Sequence, residues 1–257
     1  MKQEEMTVVK QIELAPHIYE LTLAGELVQE MSMPGQFIHI RVPRTDLLLR
    51  RPISLAEISK ETGTCKIIYR ADGDGTRVLA EFKTGDSVDV LGPLGKGFPI
   101  DMIEEGDVVH VIGGGIGVPP LYELGRQLKA KNANIVFMNG FADKSLVYYE
   151  EAFKTLGTVL IATDNGSYGA SGHVGILMDQ VAEQEPKAVF ACGAKGLLKS
   201  VESHYPDHPH VYISMEERMA CGVGACYACV CQSKKDPSVN VKVCDEGPVF
   251  RAGEIVL

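Results

Sequence analysis

The spacing of apolar and polar positions changes character twice along the chain. Residues 1–100 contain short segments rich in β-branched and aromatic residues, with Gly, Pro and Asp between several of them, which is typical of strands joined by turns. These segments are MTVVKQIEL, IYELTLA, GQFIHIR, RPISLAE, CKIIYRA and SVDVLGP. Six such strands predict a small antiparallel β-barrel, and the pattern from Thr76 to Phe82 predicts one short helix.

Residues 101–214 alternate between apolar runs and amphipathic segments. The apolar runs suit buried parallel strands; they are VVHVIGG, NIVFMNGF, TVLIAT, AVFACG and HVYISM. The segments between them have helical spacing; they are LYELGRQLKAK, SLVYYEEAFK, VGILMDQVAE and GLLKSVESH. This alternation predicts a doubly wound parallel α/β domain.

The final segment, residues 215–257, is rich in cysteine and lacks regular periodicity. A segment this short forms little core alone, and a metal centre would supply the missing organisation. The chain is therefore expected to combine a β-barrel domain, an α/β domain and a small metal-centred domain. The expected domain ranges are 1–100, 101–214 and 215–257.

Composition narrows the class of protein. Hydrophobic residues make up 45% and charged residues 23% of the chain, as in soluble globular proteins. No apolar run reaches the roughly 18 residues that span a bilayer, and the N-terminal segment lacks the apolar core of a secretory signal. We therefore expect a cytoplasmic protein without a membrane segment. The net charge of −9, with no Lys/Arg cluster, argues against nucleic-acid binding.

Cysteine is concentrated in the final segment. Cys65 and Cys192 are isolated, whereas the other five cysteines lie between residues 221 and 244. In a reducing compartment, such a cluster indicates metal or redox chemistry rather than disulfides. The spacing Cys-x4-Cys-x2-Cys followed by a distant cysteine is that of plant-type [2Fe–2S] ferredoxins. The predicted ligands are Cys221, Cys226, Cys229 and Cys244.

Small residues in this loop suit a cluster. Gly222 and Gly224 permit backbone angles that other residues resist, and small side chains let backbone N–H groups point at sulfur. A zinc site, usually built from two short Cys-x2-Cys knuckles, and a set of free thiols are the alternatives. Five cysteines compete for four places, and Cys231, crowded against Cys229 two positions earlier, is left out of the ligand set as a packed thiol.

A glycine-rich loop follows the first α/β strand. Residues 108–117 read VVHVIGGGIG, and Val118, Pro119 and Pro120 follow. Glycines let a pyrophosphate approach the backbone, and proline is tolerated in a first helical turn. The loop does not match G-x-G-x-x-G strictly, and an ordinary strand–helix turn is the alternative. The predicted dinucleotide contacts are Gly113, Gly114, Gly115 and Gly117.

Asp143 lies just beyond the second α/β strand. A carboxylate there can bind a ribose 2′-hydroxyl and repel a 2′-phosphate, and no arginine stands nearby to bind that phosphate. The sequence therefore predicts a preference for NADH over NADPH. Asp143 can equally serve as the N-cap of the next helix, and the two roles are compatible.

Taken in this order, the motifs resemble the ferredoxin-reductase superfamily, and more closely the electron-transfer subunits of bacterial class 1B dihydroorotate dehydrogenase. The resemblance covers nearly the whole chain, and its strongest marker is MACGVGACYACVC. It implies three FAD-binding segments: an Arg-x-x-Ser motif, a second segment on the next strand and a Gly-Thr pair opening the short helix. The matching residues are Arg51, Pro52, Ile53, Ser54, Ile68, Tyr69, Arg70, Gly75 and Thr76.

The resemblance also implies a nicotinamide side. It matches the glycine loop, the loop from residue 163 to residue 167, and Cys192 with Gly193 at the end of the fourth parallel strand. Cys192 resembles a cysteine near the hydride-transfer site of ferredoxin reductases, or it is simply a small buried residue. His110 and His173 are expected to be core or capping residues. No catalytic protein residue is expected, because the cofactors carry the chemistry.

The implied function is an oxidoreductase subunit. Electrons would pass from NADH through FAD and a [2Fe–2S] cluster to the FMN of a separate dihydroorotate dehydrogenase catalytic subunit, in de novo pyrimidine synthesis. The family suggests a heterotetramer with two copies of each subunit. The alternatives are a subunit of an NAD(P)H–ferredoxin or sulfide-linked reductase and, from another class, a zinc-stabilised nucleotide-sensing protein.

Overall fold

The computed structural model describes residues 1–257 and begins with a closed six-stranded antiparallel barrel of order β1-β2-β5-β4-β3-β6. Alternate residues of these strands fill its interior, among them Met6, Leu21, Ile38, Ile67 and Val90. The predicted barrel is therefore confirmed. Its strands are β1 (Lys2–Ala15), β2 (Ile18–Ala24), β3 (Phe37–Ile40), β4 (Arg51–Ser59), β5 (Thr64–Arg70) and β6 (Ser87–Leu94). The short helix α1 spans Asp74–Leu79, two residues earlier at its start than predicted.

The predicted α/β domain is also confirmed. A seven-stranded sheet has the order β10-β9-β8-β7-β11-β12-β15, and the strands from β10 to β12 in that order run parallel. Its strands are β7 (Val108–Gly114), β8 (Asn134–Phe141), β9 (Thr158–Thr163), β10 (Ala170–Ser171), β11 (Ala188–Cys192), β12 (Val211–Ser214) and β15 (Val249–Arg251). The helices are α2 (Pro119–Ala130), α3 (Glu150–Lys154), α4 (Gly175–Gln180) and α5 (Lys195–His204).

The C-terminal segment contributes the last strand of this sheet. Strand β15 pairs antiparallel with β12, with Ser214 opposite Val249, an edge strand that the sequence pattern does not reveal. Between the two lies a small hairpin of β13 (Val230–Gln232) and β14 (Asn240–Lys242). The cysteine-rich segment therefore leaves the sheet at β12 and returns to the same edge.

One predicted helix is broken. The segment SLVYYEEAFK gives a 3₁₀ turn at Lys144–Leu146, and helix α3 begins only at Glu150, because Tyr149 has a left-handed backbone with φ of 62°. Tertiary hydrogen bonds account for the break: the Tyr148 hydroxyl donates to the Gly115 carbonyl at 2.8 Å, and the Tyr149 hydroxyl donates to Glu20 of the barrel. These distant partners override the local helical preference.

Helix α2 joins the two large units. The buried Glu123 carboxylate accepts from the Ile58 backbone N–H at 3.0 Å, and the Arg126 guanidinium donates to the Ile58 carbonyl at 2.9 Å. Both backbone groups of this barrel residue are thus satisfied by the α/β domain. Spanning a membrane takes a long apolar helix, and none of the helices in this structure combines the necessary length and hydropathy.

Candidate functional site

A cavity of about 970 Å³ lies between the barrel and the α/β domain. Its wall includes all the expected flavin residues except Gly75. Those lining residues are Arg51, Pro52, Ile53, Ser54, Ile68, Tyr69, Arg70 and Thr76. Neighbouring strands bring them together, since β4, which carries Arg51 to Ser54, pairs with β5, which carries Ile68 to Arg70. The three short segments, which are separate in the sequence, thus form one surface.

Gly75 lies directly beneath Arg51. A Cβ atom at Gly75 would lie 2.4 Å from Nε and 2.6 Å from Nη2 of Arg51, so a larger residue would push the guanidinium aside. The guanidinium therefore rests on the Gly75–Thr76 backbone at the cavity wall. A forked cationic donor in this position suits a diphosphate, which means that the residues present fit the pyrophosphate of FAD.

A second cavity, of about 620 Å³, opens at the carboxyl ends of the parallel strands, where such sheets bind ligands. Gly114, Gly115 and Gly117 line it, together with Asp164, which pairs with His173 at 3.0 Å. Gly113 does not line the cavity: a Cβ atom there would contact the side chains of Asn139, Val118 and Leu121. The glycine-rich loop thus forms one wall of a pocket with room for a nicotinamide cofactor.

Cys192 and Asp143 do not line either cavity. The Cys192 thiol is buried, and burial raises its pKa, while its carbonyl lies under the glycine loop, 2.5 Å from where a Cβ of Gly117 would be. The Asp143 carboxylate accepts from the backbone N–H and the hydroxyl of Ser145, at 2.7 and 2.6 Å. Asp143 therefore caps the 3₁₀ turn, although its neighbour Ala142 lines the nicotinamide-side cavity.

The two cavities share a wall made of Arg70, Ile116 and Glu216. The Glu216 side chain is exposed to the cleft. The protein that surrounds the cleft still desolvates its carboxyl and raises the pKa, and the Arg70 guanidinium opposes this change. The wall takes one residue from the barrel, one from the glycine loop and one from the segment after β12. Groups bound in the two cavities therefore meet at this point.

The cluster cysteines come together as two pairs. The Cys226 thiol lies close enough to Cys221 to affect its pKa, and the Cys229 thiol does the same to Cys244. No three His, Cys, Asp or Glu side chains surround a single ion position. Four thiols this close together suit a cluster of two irons, each of which would take two thiolates.

Backbone N–H groups already point at the sulfurs. The N–H groups of Val223 and Cys226 donate to Cys221 Sγ at 3.5 and 3.3 Å, and that of Gly224 donates to Cys244 Sγ at 3.2 Å. Although burial raises the pKa of the Cys221 thiol, these N–H donors and the Cys226 thiol outweigh burial and lower it to about 7. Gly222 and Gly224 have φ of 71° and 75°, left-handed angles that favour glycine. The loop thus suits thiolate ligands of iron.

Exposure differs across the cluster site. Cys229 and Cys244 are buried in the same apolar core as Phe37 of the flavin-side cavity wall, whereas Cys221 and Cys226 are partly accessible. Tyr227 is 71% exposed. Cys231 lies on β13 in that same core, and burial raises the pKa of its thiol. One side of the cluster site therefore faces the flavin side and the other faces solvent.

Two residues of this region were missed by the sequence analysis. Glu216 follows a strand and carries no motif, and only the shared wall reveals its position. His39 lies within a segment predicted simply as a strand, yet its side chain is wholly buried against the cluster loop, and neither ring nitrogen has a hydrogen-bond partner. An isolated histidine in a β-strand pattern gives no sequence signal for such a contact.

Comparison with known families agrees with this arrangement. Residues 5–98 match the oxidoreductase FAD-binding domain family, and residues 216–256 match the iron–sulfur cluster binding domain of dihydroorotate dehydrogenase B. Among solved structures, the chain is similar to the NADH-dependent reduced ferredoxin-NADP oxidoreductase, with a TM-score of 0.87 and 27% identity over 98% of this chain and 90% of the other. The fold also matches the ferredoxin reductase of carbazole 1,9a-dioxygenase, with a TM-score of 0.71 over 82% and 68% of the two chains.

Relatives of known role match over the full length. The dihydroorotate dehydrogenase B (NAD(+)) electron transfer subunit of Enterococcus faecalis strain V583 is 54% identical over 100% of this chain and 99% of its own. The subunit of the same name from Geobacillus thermodenitrificans is 51% identical over 99% of each chain. The chain belongs to the family of dihydroorotate dehydrogenase B electron transfer subunits, iron–sulfur flavoproteins of the ferredoxin-reductase superfamily.

Proposed function

We propose that this chain takes hydride from NADH and delivers single electrons to the FMN of a dihydroorotate dehydrogenase catalytic subunit, in pyrimidine synthesis. One observation carries the proposal: the nicotinamide-side and flavin-side cavities share a wall, and the flavin-side cavity is also lined by residues 215–219, which end two positions before the first cluster cysteine. Three sites in series are what an electron relay requires. The proposal assigns them to the ranges 101–214, 1–100 and 215–257.

The flavin-side cavity is proposed to hold FAD. When bound, FAD converts two-electron hydride transfer into the one-electron transfer that an iron–sulfur cluster carries. Arg51 would bind the diphosphate over Gly75 and Thr76, and Ser54 offers a hydroxyl to the polar edge of the isoalloxazine. The apolar side chains of Ile53 and Ile68, which also line the cavity, would exclude water from the ring.

The nicotinamide-side cavity is proposed to hold NADH. Gly115 has a left-handed backbone with φ of 52°, and no side chain at Gly114, Gly115 or Gly117 keeps a pyrophosphate from the loop backbone. The shared wall of Arg70, Ile116 and Glu216 would align the nicotinamide with the flavin. Asp143, one position beyond the lining residue Ala142, is proposed to face the ribose and to favour NADH.

Cys221, Cys226, Cys229 and Cys244 are proposed to hold a [2Fe–2S] cluster. The N–H groups that point at Cys221 and Cys244 stabilise added negative charge, so they favour the reduced state. Ligand thiols must also stay reduced to bind iron, which supports work in the reducing cytoplasm.

The exit from the relay is proposed to be the exposed edge of the cluster loop. Ala225, Tyr227 and Ala228 are exposed beside the partly accessible Cys226. A partner seated on this edge would bring its FMN close to the cluster without a further cofactor. We propose that two copies of each subunit assemble in this way, which size-exclusion chromatography with light scattering would measure.

Reconstitution tests the proposed function. The isolated chain, loaded with FAD and iron–sulfur, is expected to reduce ferricyanide with NADH and to leave orotate unchanged. Adding the catalytic subunit is expected to create NADH-dependent orotate reduction and NAD⁺-dependent dihydroorotate oxidation. If the mixture has no coupled activity while the chain efficiently reduces a ferredoxin, the catalytic-subunit assignment is wrong.

A further inference from the structure

His39 lies between the flavin-side wall and the cluster loop. It stands on β3, two residues after the cavity-lining Phe37 and directly opposite the cavity-lining Pro52. A Cβ atom at Gly222 of the cluster loop would lie 2.5 Å from Nδ1 and 2.9 Å from Cε1 of the ring. One edge of the imidazole therefore faces the peptide that follows the first cluster cysteine.

The ring is unusual in lacking partners. His39 is 0% exposed, and neither Nδ1 nor Nε2 has a hydrogen-bond partner. Burying an unpaired polar group costs free energy, so such groups in native proteins call for an explanation. His110, the other histidine with 0% exposure, has both nitrogens within hydrogen-bond distance of a partner, Tyr205 at 2.9 Å and Gln184 at 3.1 Å.

An imidazole carries at least one N–H in either protonation state, so the His39 ring has a donor to offer. The backbone carbonyl of Cys221 lies near the ring but forms no hydrogen bond with either ring nitrogen. That carbonyl is an acceptor on the cluster side of the ring. It belongs to the Cys221–Gly222 peptide, which directly precedes the Val223 N–H that donates to Cys221 Sγ.

We propose that His39 is a positioning residue whose unpartnered ring N–H binds the Cys221–Gly222 peptide once the cluster is in place, and that it thereby raises the reduction potential of the cluster. Fixing this peptide aims the N–H groups of Val223 and Cys226 at Cys221 Sγ, and donors to sulfur stabilise the extra negative charge of the reduced cluster. The inference rests on the proposed function, because it requires a cluster at the four cysteines.

The test is an EPR-monitored redox titration of the cofactor-loaded chain. His39→Phe keeps a planar ring and removes the N–H donor. His39→Asn keeps an N–H donor near the position of Nδ1. His110→Phe is the matched control at the other fully buried histidine. At the solution potential that half-reduces the wild-type cluster, the reduced-to-oxidised ratio in His39→Phe is expected to fall at least about tenfold, equivalent to about 59 mV for a one-electron couple. His39→Asn and His110→Phe are expected to stay within about threefold of wild type.

Loss of iron in His39→Phe, with iron and potential retained in His39→Asn, would equally support the donor role. An unshifted His39→Phe titration, or the same loss or shift in both His39 variants, would overturn it, since packing alone would then account for the residue. A wild-type chain with no iron–sulfur EPR signal after reconstitution would instead overturn the proposed function. The two failures are therefore distinguishable.

Discussion

Replacing Glu123 by Ala should loosen the attachment of the barrel to the α/β domain. The Glu123 side chain is 5% exposed and accepts three hydrogen bonds: from the Ile58 backbone N–H at 3.0 Å, from Arg126 at 2.7 Å and from Gln127 at 2.9 Å. Truncation removes the only side chain that satisfies the Ile58 N–H and leaves the half-buried Arg126 without its carboxylate.

The expected cost follows from these contacts. An orphaned buried N–H costs about 1–3 kcal/mol, and losing the carboxylate from a partly buried ion pair adds to this, so the free energy of unfolding should fall by about 3 kcal/mol. That corresponds to a fall in Tm of roughly 6–12 °C for a chain of this size. Glu123→Gln keeps an acceptor for Ile58 and should cost about 1 kcal/mol.

Thermal unfolding of the FAD-loaded protein, followed by far-UV circular dichroism, measures this. Glu151→Ala is the matched control, because the Glu151 side chain is 86% exposed in its pair with Lys154 and such pairs contribute little; its Tm should hardly change. If Glu123→Ala melts within about 1 °C of wild type, the bond to Ile58 does not hold the two domains together.

Three further predictions concern the proposed site. Gly117→Ala should raise the KM for NADH at least about tenfold, with FAD content unchanged, because its Cβ would lie 2.5 Å from the Cys192 carbonyl oxygen; an unchanged KM would mean that the loop does not hold the cofactor. In ferricyanide reduction, kcat/KM for NADH should exceed that for NADPH by at least about tenfold, or roughly 1.4 kcal/mol. Asp143→Ser should narrow that preference, and equal kcat/KM values for the two cofactors in the wild type would exclude Asp143 from the ribose site. Iron content and the reduced-state EPR signal should be lost in Ser variants of the predicted ligands yet retained in Cys231→Ser, and the opposite result for Cys229 and Cys231 would overturn the assignment. Those ligands are Cys221, Cys226, Cys229 and Cys244.

Features encoded by neighbouring residues could be predicted from the sequence. The strand and helix periodicities predicted the β-barrel and the α/β domain. The spacing from Cys221 to Cys229 predicted an iron–sulfur loop, because three ligands come from one short stretch. The flavin residues could be listed only through the resemblance, since Arg51 and Ser54 alone form a common pattern. Their shared surface depends on strand pairing in the barrel.

Features that depend on distant contacts could not be predicted. Tyr149 adopts a left-handed backbone where its hydroxyl donates to Glu20 of the barrel, 129 residues away in sequence. Strand β15 forms because the chain returns to β12 after the cluster loop. Glu216 and His39 gain their positions only when separate parts of the chain meet. A single sequence shows each residue but not its partner.

A complex that lacks the cluster shows whether electrons must cross the three sites in series. In anaerobic stopped-flow experiments, the Cys226→Ser chain bound to the catalytic subunit is mixed with NADH and orotate. NADH is expected to bleach the FAD absorbance at close to the wild-type rate, while orotate reduction falls at least about a hundredfold. Orotate reduction at the wild-type rate without a cluster would mean that electrons reach the catalytic subunit without crossing the cluster.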